Sequence, residues 1–443
     1  MHFDNKWDQI LSATNSSVLL DNHFTKHSRK YIICFIVLFF SSSRVLLRTL
    51  IPVPGFAEIL GLLIALTFVI LTFKVLDLKE YNINKYGIVL FLFGIFSIIR
   101  YLIAGKSSFS SLPGMLTWIA ILGFIAARNN EIFIRLILKA FTIAMCMHLF
   151  SIIIPFDFIH RGLDTQTSYG VSRYGSNIFS ARSTGFNQAP GVLSFFSAQG
   201  LVIGIIMYYY EKRAMWLILI LTSLICGILT FNRSFIFLLV IITFIVPMFM
   251  DKVRRIASYY VILGSVIALF LLAIFKYSDY ERRITDRFEV EIFEKAIDTR
   301  LQGEAGIMRV LKAISNYPLL GSFVYDEYSD RHYVLVGENE GYVLVHNGIA
   351  NIFATRGIIF GSLFVLLSVL AFIGFYKTNK NDIGPSSFKS INKSFYAAFI
   401  VGQIFCLSES FTENFLMLAL LSFGLIQKVN YENQKSLHNY YSD

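Results

Sequence analysis

Long apolar runs separated by short polar breaks fill most of the chain. Two of them, FAEILGLLIALTFVILTF (residues 56–73) and MWLILILTSLICGILTF (residues 215–231), reach or approach the roughly 20 residues with which a helix crosses a bilayer. Windows of this kind predict spans near 31–50, 55–73, 86–104, 110–127, 131–154, 190–210, 214–230, 234–250, 256–275, 357–376, 394–408 and 411–428. That makes about twelve transmembrane helices. The last two are short enough to form a hairpin that does not fully cross.

Between the apolar runs lie two long polar connections, residues 155–189 and 276–356. In the second, Ile284, Phe288, Ile292 and Ala296, with Phe293 and Ile297 beside them, recur at helical spacing and predict an amphipathic helix on the membrane or the span mouths. A second helix is predicted in GEAGIMRVLKAISN, stopped by Asn316 and Pro318 with Gly321 beyond. Laid on a helix, residues 342–355 are two-faced. Val345, Ile349, Ile352 and Phe353 share one side. His346, Asn347 and Asn351 share the other, with only Ala350 and Ala354 between them.

Composition sharpens this pattern into a class. Hydrophobic residues make up 55% of the 443, and charged residues only 15%. A water-soluble protein of this length carries more charge and fewer unbroken apolar runs. The fold class is therefore all-α, a polytopic integral membrane protein, read as a single membrane domain over 1–443. Cys34, Cys146, Cys226 and Cys406 all fall inside apolar runs, which gives neither a disulfide framework nor metal-ligand spacing. The CMH triplet at 146–148 reads as packing. The first apolar run ends in SSSRVLLRTL rather than a small-residue cleavage motif, so the N-terminus is expected to be retained.

Charge orients the spans. With KHSRK inside, the inner connections include FKVLDLKEYNINK, RNNE, EKR, DKVRR and KTNKNDIGPSSFKSINK, and the short outer ones include IPVPG, AGKSSFSS, FNRS and SESFTEN. Lys and Arg concentrate on the first set, which makes both termini cytoplasmic and both long connections external. The net charge of +10 is largely this bias. No basic patch with interleaved aromatics marks a nucleic-acid partner.

Several arginines depart from that bias. Arg44 lies about 13 residues into the first predicted span, Arg48 one turn further out, and Arg100 in a similar outer-half position in the third. Arg182, Arg233, Arg309 and Arg356 lie in or beside outer connections. An Arg inside a span costs at least about 2.5 kcal/mol unless it finds a partner, a cavity or the headgroups. Snorkelling to the outer headgroups accounts for any one of them. The set is harder to explain that way, because Glu58, Glu409 and Glu413 are the few acids near that surface. Guanidiniums gathered there suit bidentate contacts to phosphate. The scarcity of intramembrane acids also weighs against a proton- or sodium-coupled transporter. His346, on the cleared face, is either held by a loop carbonyl or able to take a proton from a sugar hydroxyl.

The stretch YPLLGSF…HNGIANIFATRGIIFGSLFVLL resembles the C-terminal signature of the O-antigen polymerase and O-antigen ligase superfamily. ARSTGFNQAPGVLSFF and LTFNRSFIFLL are similar to two further stretches of that family. The resemblance implies a GT-C-like plan with two large periplasmic loops, 155–189 and 276–356, in the bacterial cytoplasmic membrane. It implies an inverting glycosyl transfer, independent of metal and of cofactor, from undecaprenyl pyrophosphate to an acceptor sugar at the periplasmic face. By carry-over, Arg182 and Arg233, joined by Arg309, would hold the donor pyrophosphate. His346 would orient or deprotonate the acceptor hydroxyl and Asn347 would position it. Arg44, Arg100 and Arg356 are additional anion-binding candidates. The sequence departs from the family at Arg356, where an acid is common, and lacks the usual aromatic beside Arg309. Glu409 or Glu413 is an alternative base, though a helix-cap role suits both better.

The expected activity is repeat-unit polymerisation, with an undecaprenyl-pyrophosphate-linked oligosaccharide as both donor and acceptor. Expected partners are membrane lipid, a chain-length regulator and a flippase. The long loop, the extended N-terminus and the abundance of Phe (44) and Tyr (23) favour this over ligation of polymer to lipid A–core. A lipid-linked oligosaccharide flippase is the alternative from another class. It predicts pseudo-symmetric halves, which the sequence does not display.

Overall fold

The computed structural model describes residues 25–41, 56–75, 85–104, 115–121, 131–153, 190–230, 232–250, 264, 307–322, 324–326, 331–337, 341–344, 347–380, 386–407 and 414–442. Helix accounts for 92% of these, which decides the class: an all-α membrane protein. The helices are α1 (Ser28–Ser41), α2 (Phe56–Val75), α3 (Lys85–Ala104), α4 (Glu131–Ile153), α5 (Pro190–Glu211), α6 (Ala214–Leu229) and α7 (Arg233–Ile245), which runs into a 3-10 turn at Val246–Phe249. After them come α8 (Ile307–Asn316), α9 (Gly348–Lys380), α10 (Ser386–Cys406) and α11 (Phe415–Ser442). A further helical segment covers residues 115–121. Among the described residues, Glu131–Ile153, Gly191–Glu211 and Gly348–Lys380 are long and apolar enough to cross a membrane, and four shorter apolar helices accompany them. The predicted span at 256–275, apart from residue 264, and the connection 155–189 lie outside the described residues.

Local chemistry sets several boundaries. Asn232 caps α7 by accepting the Ser234 N–H at 2.9 Å. Pro247 has no N–H to continue the ladder, and α7 tightens there into its 3-10 turn. Pro190 opens α5, where its missing N–H costs nothing. Apolar windows underestimated α10 and α11, because both helices continue into polar residues at the ends of their apolar stretches.

Inside the bundle the contacts are aromatic and close. Phe35 of α1 meets Phe68 of α2 at 5.2 Å and Phe133 of α4 at 5.4 Å, and Phe39 meets Phe141 of α4 and Phe415 of α11. On α5, Gly204 faces Ile220 and the Trp216 carbonyl of α6 so closely that a Cβ there would lie 2.8 Å from Ile220 Cγ1. Small residues of this kind let helix backbones approach where no hydrophobic force separates protein from lipid. α10 and α11 are buried nearly all round along their apolar stretches, whereas α2, α3, α6 and the spanning part of α9 expose rows of Leu, Ile and Phe. A helix apolar on every side belongs in the interior, and exposed apolar rows of this extent face lipid.

Two departures from the sequence reading occur in the long connection. Residues 342–344, expected as part of a two-faced helix over 342–355, belong to a strand, Gly341–Leu344. β1 (Val324–Asp326), β2 (Arg331–Gly337) and β3 (Gly341–Leu344) make an antiparallel three-stranded sheet in the order β1-β2-β3. Tyr333 pairs with Leu344 and Val334 with Val343. The partner strand β2 decides this: Tyr342, Val343 and Leu344 are good strand formers once a ladder is offered to them. The helix starts only at Gly348. The expected α8 forms and packs through Val310 and Ala313 on Val334 and Val336 of the sheet and Ala354 of α9. The other expected amphipathic helix, near 284–297, lies outside the described residues.

Candidate functional site

α9 is two helices joined at Gly357, whose φ of 76° and ψ of 176° interrupt the helical path. The turn Tyr317–Pro318–Leu319–Leu320–Gly321 docks into that break. Ile358 N–H donates to the Pro318 carbonyl at 2.7 Å, and Ser322 N–H donates to the Ala354 carbonyl at 2.8 Å. Gly321 also has positive φ, 66°. A Cβ on it would lie 2.5 Å from the Ala354 carbonyl and 2.6 Å from Gly357 N, while one on Gly357 would strike the Leu319 carbonyl. Each glycine therefore serves twice: it takes a left-handed backbone that other residues resist, and it leaves room for the other segment's main chain.

Ser322 extends the contact to the sheet. Its Oγ accepts the Leu335 N–H at 2.9 Å and donates to the Leu335 carbonyl, and Asn316 Nδ2 donates to the Val336 carbonyl at 2.7 Å. The turn, the sheet and the first part of α9 form one connected unit. Nothing in the chain marks Ser322 as its link except its place after Gly321.

Arg100, near the end of α3, reaches into this unit. Its Nη2 donates to the carbonyls of Gly321 (3.3 Å) and Thr355 (3.2 Å). The Thr355 carbonyl belongs to the last turn before the break, where helix carbonyls lack intrahelical partners and a cation is favourable. Arg100 thus caps a helix that lies 255 positions away in the chain. Its buried Nε has no hydrogen-bond partner among the described residues. Arg356 is 1% exposed and close enough to Arg100 for the two positive charges to repel. Segments 85–104, 317–322 and 347–357 contain no Asp or Glu, so none of these elements supplies a counter-charge.

Asn347 begins α9. Its Oδ1 accepts the Ala350 N–H at 2.9 Å, as an N-cap does, and its Nδ2 donates to the Leu407 carbonyl at the end of α10 at 2.8 Å. One amide therefore closes the helix start and ties it to the segment that leads into Glu409. Arg309 is half-buried on α8, the helix packed against the sheet. Of the other expected site residues, His346, Arg182, Arg44, Arg48, Glu409 and Glu413 lie outside the described residues, as does the side chain of Arg233, the first residue of α7. The structure therefore brings Arg100 and Arg356 together beside the turn and sets Asn347 at the other end of the same short helix. His148 of the CMH triplet packs in the interior, its ring 4.8 Å from Phe40 and 6.4 Å from Phe196.

Among the buried polar residues that escaped the sequence reading, Gln199 stands out. Gln199 in α5 is fully enclosed, and neither atom of its amide has a hydrogen-bond partner among the described residues. A glutamine in the middle of an apolar run was its only signal.

Compared with known proteins, the chain matches no family model and no curated protein.

Proposed function

We propose that this protein is a polysaccharide repeat-unit polymerase of about twelve spans, with both termini cytoplasmic and its active site at the periplasmic face of a bacterial inner membrane. In this reading the acceptor sugar's hydroxyl oxygen attacks the anomeric carbon of the donor glycan. The bond from that carbon to the pyrophosphate oxygen breaks, and undecaprenyl pyrophosphate leaves. His346 takes the hydroxyl proton or orients the group that loses it. Arg182 and Arg233, with Arg309, neutralise the charge that grows on the leaving pyrophosphate, the electrostatic part of the catalysis. Asn347 holds the start of α9, and so the residue before it, at a set distance from the end of α10. Arg100 and Arg356 add positive charge at the far end of the same short helix.

The observation that supports the reading is the mutual seating of Gly321 and Gly357. YPLLGS and NGIANIFATRG, from the two halves of the stretch that resembles the polymerase and ligase superfamily, meet as one unit. Two segments of unrelated purpose have no reason to share a turn of this kind. The test is a gel profile of surface polysaccharide from a strain lacking the protein, with and without the gene restored. Loss of the ladder, leaving lipid A–core with a single repeat, is the expected result. Loss of every repeat with polymer stranded on the lipid carrier would mean a ligase, and an unchanged ladder would overturn both. His346→Ala is expected to abolish chain extension while the protein still reaches the membrane; normal long chains from that variant would leave a flippase or scaffold.

A further inference from the structure

The turn in the break of α9 carries two side chains that its conformation does not require. Short turns favour Gly, Pro, Asn, Asp and Ser for backbone reasons, yet here Leu319 and Leu320 stand 64% and 54% exposed. Main-chain contacts determine where they stand. Gly357 abuts the Leu319 carbonyl and the Leu320 nitrogen, so the pair sits beside Ile358 and Ile359, the first residues of the spanning part of α9 and themselves exposed. On the other flank Arg100 holds the Gly321 carbonyl, which brings the turn to the end of α3, where Ile99 and Ile103 are exposed, the latter 72%. α3 and α9 pack on each other through Phe96 and Phe360, whose rings stack 3.6 Å apart. The two leucines therefore belong to a turn held between two packed helices, beside the exposed apolar residues of both.

We propose that Leu319 and Leu320 are a lipid anchor: they insert into the edge of the bilayer hydrocarbon and hold the α8–sheet unit at a set height on the membrane. Bilayer hydrocarbon is the occupant because the turn adjoins the exposed apolar residues of α3 and of the spanning part of α9, and residues 317–320 carry no charge. A lipid anchor at this point also accounts for a leucine pair where the turn needs only its proline and glycine. Anchoring acts on the site through Ser322 and Ala354, which join the turn to β2 and α9. The inference rests on the fold and does not depend on the polymerase reading.

The test uses the full chain in phosphatidylglycerol–phosphatidylethanolamine vesicles. Nitroxide is attached at Leu319→Cys, Leu320→Cys and, as a control one helical turn away, Ser315→Cys, which is exposed on α8. Label on the unsubstituted protein supplies the background from the native cysteines. Collision with oxygen is expected to exceed collision with a water-soluble nickel chelate at 319 and 320, with the order reversed at 315. Nickel access at 319 and 320 equal to that at 315 would overturn the anchor. So would protection from both reagents, which would mean that protein, such as a second copy of the chain, covers the leucines. Leu320→Trp in vesicles of brominated phospholipid gives a second readout without a label: its added fluorescence is expected to be quenched, and unquenched emission would contradict the proposal. Neither readout involves a glycan, so a failed polymerase test would leave it untouched.

Discussion

At one end of the bundle Glu211 collects its neighbours. Arg135 approaches its Oε1 at 2.8 Å, Trp216 Nε1 donates to its Oε2 at 3.0 Å, and Ser390 donates at 3.3 Å. Glu131 takes the remaining face of Arg135, and Lys393 donates to the Tyr210 hydroxyl, which donates in turn to the Phe249 carbonyl. α4, α5, α6 and α10 are tied there by acid, base and hydroxyl. At the other end, near Arg100, the ties run differently: a guanidinium on two carbonyls, a serine on a strand, an asparagine on a helix end, and two glycines on each other's main chain. α3 touches both regimes, with Tyr86 donating to Glu432 at one end and Arg100 at the other.

The difference teaches what each end is built to do. Charge pairs satisfy each other and leave little potential for anything else. The Arg100 guanidinium is spent on two neutral carbonyls, and segments 85–104, 317–322 and 347–357 bring it no acid. Under the proposed pyrophosphate chemistry the second arrangement suits a site that draws an anion, and the first suits a structural brace.

Breaking the charged end should cost most. Glu211→Ala leaves Arg135 largely buried beside a single acid, and removing one member of a buried pair costs about 3–5 kcal/mol. A matching fall in stability is expected from denaturant unfolding in detergent. A fall no larger than that of a surface pair would erase the contrast.

At the other end, Gly357→Ala meets both a left-handed backbone and the Leu319 carbonyl. Strain of this type costs about 1–3 kcal/mol, and the damage should be local. Amide exchange is expected to quicken in residues 317–322 and 350–358 while α4 and α5 stay protected. Uniform acceleration would show that the two ends are not separable.

Arg100→Leu strips the donor from two carbonyls near the break, at about 1–3 kcal/mol for buried groups left unsatisfied. Arg100→Lys should recover only part of this, because a single ammonium cannot reproduce the planar fork. Equal stability of the Lys and wild-type forms would make Arg100 a simple charge.

The smallest effect separates the two jobs of Asn347. Asn347→Ala removes the N-cap, worth about 1 kcal/mol, together with the tie to Leu407. Asn347→Asp keeps an acceptor for the Ala350 N–H but loses the donor to Leu407. Stability near wild type with reduced chain extension is therefore expected for Asp, measured by unfolding and by the polysaccharide ladder together. Identical behaviour of Ala and Asp would assign the whole effect to the Leu407 tie.

The amount legible beforehand differs between these regions for the same physical reason. Apolar windows located α2 to α7 because a helix in lipid must satisfy its own backbone within one contiguous segment. α8 was equally readable from GEAGIMRVLKAISN with its stop at Asn316 and Pro318. The strand at 341–344 was not, since a strand is defined by a partner, and β2 is a separate segment of the chain. Asn347 could be picked out as a polar residue on a cleared face, but its bond to Leu407 spans 60 positions and leaves no local trace.

The sequence by itself determined which segments are apolar enough to leave water, where prolines and caps end them, and which charges stand apart from their surroundings. Those are properties of neighbouring residues and of the solvent. Only the tertiary structure decided that Gly321 sits in the break made by Gly357, that Arg100 caps a helix from 255 positions away, and that Glu211 gathers four helices. Each of those depends on which distant backbone atoms arrive within hydrogen-bond reach, and only the folded chain sets that.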